Sequence, residues 1–314
     1  MTNQPLRQVA IFYRPELAPQ DAGGNYSKSP SKPRRFIEYL QTTPLWPHVK
    51  LVGDFQPVTR DDLLMAHAQE YVDAMLDGRG PLSESNGLYW SPEFRDSVLY
   101  TSGSLLAALQ TAIAAPEQVT LAPVSGFHHA TPDSGGGFCT FSGQVVAALR
   151  LYREQGLRGA WFDLDGHFGN SIEDSREFAP DLRKAIAQDC NVNPTGHGAS
   201  YLRDLDQHIH KIRQLLLRGE LDYLAFAHGA DSHEWDQLGY QCTTEQWLEA
   251  ARRIYKMVRE VREVRPVPLT LALFGGYRDD HPESVLGLHA MDLAECLKQL
   301  HDVSTGFAAE VRRP

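Results

Sequence analysis

The chain is poor in cysteine. Four occur in 314 residues, Cys139, Cys190, Cys242 and Cys296, and no two form a Cys-x-x-Cys pair. That spacing argues against a thiolate zinc cage and fits a reducing compartment. Basic charge is also short: 30 Lys and Arg against 40 Asp and Glu leave a net charge of −10. An acidic chain of this kind argues against nucleic acid or an anionic membrane as partner. No apolar run approaches the ~20 residues that span a bilayer. Met1 to Gln8 is polar and lacks the apolar centre of a signal segment. The triple glycine Gly135 to Gly137 is not followed by Gly-Lys-Ser/Thr, which excludes a phosphate-binding loop there. These absences lead to the expectation of a soluble, cytoplasmic protein with no nucleic-acid or membrane partner.

What is present is apolar patterning with glycine at its ends. Hydrophobic residues make up 42% and charged residues 22%, enough to bury a sizeable core and too apolar for disorder. Gln8 to Tyr13 reads as a first strand, and the Pro-, Gly- and Ser-rich stretch Leu17 to Pro33 as a long loop. Helices are expected over Arg34 to Leu40, from Thr59 as N-cap, and over Ser97 to Ala115. Four short apolar runs then end alike. Val119 to Val124 leads to His128-His129, and Ala160 to Leu164 to Asp165-Gly166-His167. Leu221 to Ala227 leads to Gly229-Ala230-Asp231, and Val267 to Phe274 to Gly275-Gly276-Tyr277. Helical segments at Gly143 to Glu154, Tyr201 to Arg218 and Thr244 to Val264 lie between them. Strand–helix alternation predicts a parallel sheet covered by helices, with ligands bound beyond the carboxyl ends of the strands. The whole chain, 1–314, is expected to form a single α/β domain of three αβα layers. Ser171 to Cys190 reads as a surface connection with a short helix.

Asp163, Asp165 and His167 stand two residues apart, and such residues share one face of an extended strand. That pattern fits a metal site at a strand end or a solvated polar face. Asp231 at another strand end fits a metal ligand or a helix cap. Taken together, Asp165, His167 and Asp231 form a set of the catalytic zinc kind, three protein ligands with an open position. Paired His128 and His129 suit proton transfer. Tyr277, on a glycine-flanked turn, suits hydrogen bonding to a developing oxyanion.

In this order His128-His129-Ala130, Gly137-Phe138-Cys139, Asp163 to His167, Gly229-Ala230-Asp231 and Gly275-Gly276-Tyr277 resemble the histone deacetylase and acetylpolyamine amidohydrolase family. Leu63 to Tyr71 is similar to that family's early Leu…His…Glu-Tyr signature, and the likeness runs from about Ser29 to beyond Tyr277. The resemblance implies an arginase/deacetylase-type fold and zinc-dependent removal of acetyl from an amine. It implies Asp165, His167 and Asp231 as zinc ligands, His128 and His129 as proton-transfer residues, and Tyr277 as the group that polarises the carbonyl. Asp163 and Asn170 become the partners of the two histidines, which should differ in basicity because Asn170 is neutral. Phe138 becomes a wall of the acyl channel, Gly137 and Gly276 points of close backbone approach, and Arg35 an arginine behind the metal.

The chain departs from the family at four places. Phe168 stands where a second histidine is usual, and Asn170 where some members have Asp. The strand carrying a Ser-x-His element, with its channel aromatic and monovalent-cation site, has only Ser171 to Gln188 before Asp189 to Pro194 to occupy. Trp90 stands at the rim position where peptide deacetylases carry an acid. The expected substrate is therefore an acylated amine, either a small molecule or acyl-lysine. Two alternatives are an arginase-like two-manganese ureohydrolase, for which Gly169 removes a needed carboxylate, and a non-catalytic binder of acylated ligands.

Overall fold

A computed structural model describes residues 7–19, 25 and 27–314. Part of the predicted Leu17 to Pro33 loop, and most of Met1 to Gln8, lie outside the described residues. Seven strands form one parallel sheet: β1 (Val9–Phe12), β2 (Val49–Val52), β3 (Val119–Ala122), β4 (Gly159–Asp163), β5 (Asn191–Val192), β6 (Tyr223–Ala227) and β7 (Leu269–Ala272). Their order is β2-β1-β3-β7-β6-β4-β5, all pairs parallel. Every residue of β1, β3, β4, β6 and β7 is buried. Burial of consecutive residues means both sheet faces are covered, as the near-continuous apolar runs required. The four runs singled out in the sequence occupy adjacent positions β3-β7-β6-β4, so their carboxyl ends lie side by side.

Ten helices fill the connections among the described residues. They are α1 (Lys32–Gln41), α2 (Arg60–Leu64), α3 (Gln69–Asp77), α4 (Pro92–Ala114), α5 (Gly143–Gln155), α6 (Ser171–Asp174), α7 (Leu182–Ala185), α8 (Gly198–Leu217), α9 (Thr244–Arg262) and α10 (Pro282–His301). Thr59 caps α2 with a complete capping box: its hydroxyl accepts from Asp62 N, and Asp62 Oδ2 accepts from Thr59 N at 2.8 Å. Helix α4 touches α5 and β3, while α8, α9, α10 and α1 pack successively on one another. One hydrophobic cluster runs from Val9 to Leu297.

Two expectations are corrected. Helix α4 is, by length and composition, apolar enough to cross a membrane. It instead buries Leu105, Ala108 and Leu109 against the sheet and α5. The Ser171 to Cys190 connection is not a surface segment: Ile172, Ala179, Leu182, Ala185 and Ile186 are buried, and α7 packs on α5. The Ser171 to Gln188 interval holds α6 and α7, and the next strand is the two-residue β5, paired to β4 through Trp161 and Phe162.

Candidate active site

The site stands on loops that leave β3, β4, β6 and β7. Strand β4 ends at Asp163, so only that carboxylate is presented by strand alternation. Asp165 and His167 lie past the strand end, in the turn that follows, which corrects the expectation of three side chains on one strand face. Each carboxylate there is anchored by a backbone N–H, and Asp165 by a second, from His167 N to its Oδ1 at 3.0 Å. Asp165 Oδ2 accepts from Gly275 N at 2.8 Å, and Asp231 Oδ1 from Gly166 N at 3.0 Å. The remaining oxygens turn to one point, with His167 Nδ1 lying 2.9 Å from Asp231 Oδ2 and 3.2 Å from Asp165 Oδ1. A Cβ on Gly229 would fall 2.3 Å from Asp231 Oδ1, and one on Gly275 would fall 2.5 Å from Asp231 Oδ2. Backbone reaches these carboxylates only because both positions are glycine.

The donor set fits a divalent metal. Ligand atoms of Asp165, His167 and Asp231 all lie within 4.8 Å of one another. Asp231 is fully buried and Asp165 nearly so. Burial, and then the charge of Asp165, push the Asp231 pKa up, as expected for two carboxylates facing each other away from water. His167, hydrogen-bonded to both, is pushed up to about 10. A cation held among the three would relieve the repulsion between the two buried carboxylates, with Asp165, His167 and Asp231 as ligands.

The two histidines stand beside this set with rings 4.1 Å apart. His128 is buried; its Nδ1–H donates to Asp163 Oδ2 at 2.9 Å, and its Nε2 lies 3.6 Å from Asp165 Oδ1. Burial alone would lower the His128 pKa, but Asp163 and Asp165 outweigh it and raise it to about 9. His129 is less buried; its Nδ1 lies 2.9 Å from Asn170 Oδ1. Burial and the neighbouring charge of His128 lower its pKa below the usual 6.5. The two pKa values are thus pushed in opposite directions, that of His128 up by Asp163 and Asp165 and that of His129 down by burial and the charge of His128. The ring of His129 is 6.0 Å from that of His167.

Tyr277 completes the cluster, its ring 6.5 Å from His167 and 5.8 Å from Phe138. Asp236 Oδ2 accepts from the Tyr277 backbone N–H at 2.6 Å, and Gln237 N donates to Tyr277 O at 3.1 Å. The tyrosine is thereby tied on both sides of its peptide unit to the loop that carries Asp231. Phe138 sits at φ 63°, and Gly137 before it at φ 48°, where a Cβ would fall 2.5 Å from the His129 ring. That turn lays backbone directly over the imidazole. A Cβ on Gly276 would meet Val285 at 2.6 Å, so this glycine also marks a close approach, on the inner side of the loop.

Two rim and rear assignments change. Trp90 is not brought to the site: its indole N–H donates to Met75 O at 2.7 Å and its ring covers Gly78 at the end of α3. Among the exposed aromatics, Phe168, at 60%, adjoins His167 in sequence. Arg35 lines a cavity of about 450 Å³ with Lys32, Gly276, Tyr277 and Arg278. The buried cation next to the carboxylates is Lys32, which donates to Phe274 O. Burial lowers the Lys32 pKa to about 8, against the pull of Asp231 and Asp165. Sequence reasoning missed Lys32 and Asp236. A signal existed for Lys32: a lysine in the first turn of α1 opposes the helix dipole and calls for a tertiary partner.

The two-carboxylate, one-histidine cluster, flanked by two histidines and a tyrosine, stands beyond the carboxyl ends of four adjacent parallel strands, where sheets of this class bind ligands. The histone deacetylase domain model matches residues 26–182, half of the chain. The chain belongs to the histone deacetylase family. Histone deacetylase 14, chloroplastic, of Arabidopsis thaliana is 26% identical over 72% of this chain and 62% of its own length. Histone deacetylase 2 of the same plant is 27% identical over 69% of this chain and 60% of its own. A probable deacetylase of Methanothermobacter thermautotrophicus is 31% identical over 35% of this chain and 34% of its own. The chain thus spans about 60% of the length of the plant relatives it matches. The crystal structure of the HDA15 HD domain superposes with a TM-score of 0.69 at 17% identity, covering 98% of this chain and 91% of that one. It shares the fold.

Proposed function

We propose that the chain is a zinc-dependent amidohydrolase that removes an acetyl group from an amine. The observation that carries this reading is the convergence of the Asp165, His167 and Asp231 donors beside a histidine pair whose two partners differ. A zinc ion held by those three residues would supply Lewis acidity, polarising a carbonyl and acidifying a water.

The chain's own groups divide the remaining work. His129 is the base: Asn170 Oδ1 takes its Nδ1–H, which leaves the Nε2 lone pair free for the proton of the attacking water. His128, backed by the Asp163 carboxylate, supports proton delivery to the leaving amine. The Tyr277 hydroxyl donates to the carbonyl oxygen as it gains charge. Phe138, 5.8 Å from Tyr277, flanks the acyl stem.

Gly169 speaks against the two-manganese alternative. A Cβ there would fall 2.2 Å from Asp163 Oδ2, so the position takes no further carboxylate. The test is a panel of acetyl-lysine peptides, acetylpolyamines and small acetylated metabolites, with metal content measured on the same sample. Acetate release with one zinc per chain is the expected result. Two manganese per chain would favour the ureohydrolase, and tight binding without hydrolysis would favour a binding protein.

A further inference from the structure

Behind His129 the hydrogen-bond chain continues toward solvent. Asn170 Nδ2 donates to Asp174 Oδ2 at 2.6 Å, while Asn170 Oδ1 faces His129 Nδ1 at 2.9 Å. The two residues are four apart across the single turn of α6, and Asp174 N donates to Asn170 O at 2.9 Å.

An amide presents an acceptor at one end and a donor at the other, in nearly the same shape. Which end meets the imidazole fixes the tautomer. With oxygen toward His129, Nδ1 carries the hydrogen and Nε2 keeps its lone pair. With the amide flipped, Nδ2–H meets Nδ1, the ring hydrogen moves to Nε2, and that nitrogen is no longer a base. A carboxylate at position 170 would present an acceptor either way; the amide needs a third group to set its direction. The Asp174 carboxylate only accepts, so the Asn170 NH2 must face it and the oxygen must face His129.

We propose that Asp174 is a positioning residue that fixes the Asn170 amide and, through it, the Nδ1–H tautomer of His129. This rests on the reading of His129 as the base in amide hydrolysis. The test uses the full, zinc-loaded chain with 15N-labelled histidine at pH 8, the His129 signals being identified by their loss in His129→Gln. The native protein is expected to show His129 as Nδ1–H alone. Asp174→Ala is expected to add the Nε2–H form, with kcat lowered on the order of tenfold and KM unchanged. Asp174→Asn, whose own amide can present either end, is expected to leave the Nε2–H form populated. A single Nδ1–H form in Asp174→Ala overturns the proposal, whether or not kcat falls. If the native chain hydrolyses no amide but the tautomer still shifts in Asp174→Ala, the hydrolase reading fails while the positioning role of Asp174 stands.

Discussion

His128 and His129 are neighbours in sequence with rings in contact, yet they sit in two different electrostatic environments. His128 is enclosed, faces the Asp163 carboxylate, and carries a raised pKa. His129 lies nearer the mouth, faces the Asn170 amide, and carries a lowered one. The surroundings thus favour the protonated ring at one position and the neutral ring at the next. The backbone turn after β3 brings them together; the residues behind them set them apart. Histidine is suited to this because modest changes in surroundings move its titration across neutral pH.

The largest effect on this pair is expected from His129→Ala, with Tyr277→Phe beside it. Each should lose turnover on the order of 10²-fold to 10⁴-fold. Zinc content, read by elemental analysis, should stay at the native level, since neither residue belongs to the Asp165, His167 and Asp231 set. Smaller is Asp163→Asn, which removes the carboxylate that distinguishes His128. Turnover should fall about 10-fold to 100-fold, as for other groups that orient a catalytic or metal-binding histidine. Equal activity in steady-state assays would mean that the contrast between the two histidines does no chemical work.

Asn170→Asp makes the two environments alike, and its effect is chiefly a shift of pH dependence. The base must be neutral, so activity is lost as pH falls through the His129 pKa, which lies below 6.5 in the native chain. A carboxylate behind the ring favours its charged form and raises that pKa. The acid limb of kcat/KM should therefore move to higher pH. A limb that stays in place would assign it to another group. The smallest effect on chemistry is expected from Trp90→Phe, remote from both environments. It should lower Tm through loss of the indole bond to Met75 O, a hydrogen bond worth about 1 kcal/mol, and leave KM unchanged. A raised KM would return Trp90 to the rim.

Much of the sheet was legible because a strand buried on both faces leaves a continuous apolar run, and four such runs ended in glycine and a reactive side chain. The short strands β2 and β5 were not, because Lys50 and Leu51 are exposed and β5 has only two residues. Helix α10 was passed over even though Pro282 marks its start and twelve of its residues are buried. Asp165, His167 and Asp231 could be nominated from motif order, while Lys32 and Asp236 could not. Their placement depends on long-range contacts, from α1 to the β7 loop and from the β6 loop to Tyr277. Trp90 was misplaced for the same reason: its position in the chain said nothing of Gly78, whose missing side chain gives the indole its seat. The direction of the Asn170 amide is a still finer detail, visible only with Asp174 in place.

Acetate release by the zinc-loaded chain, measured across the acetyl-lysine, acetylpolyamine and small-metabolite panel beside its His129→Ala variant, tests the central claim most directly. Release from at least one substrate, abolished in His129→Ala with one zinc still bound per chain, is the predicted result. Undiminished release by the variant, or none by the native chain, would contradict it.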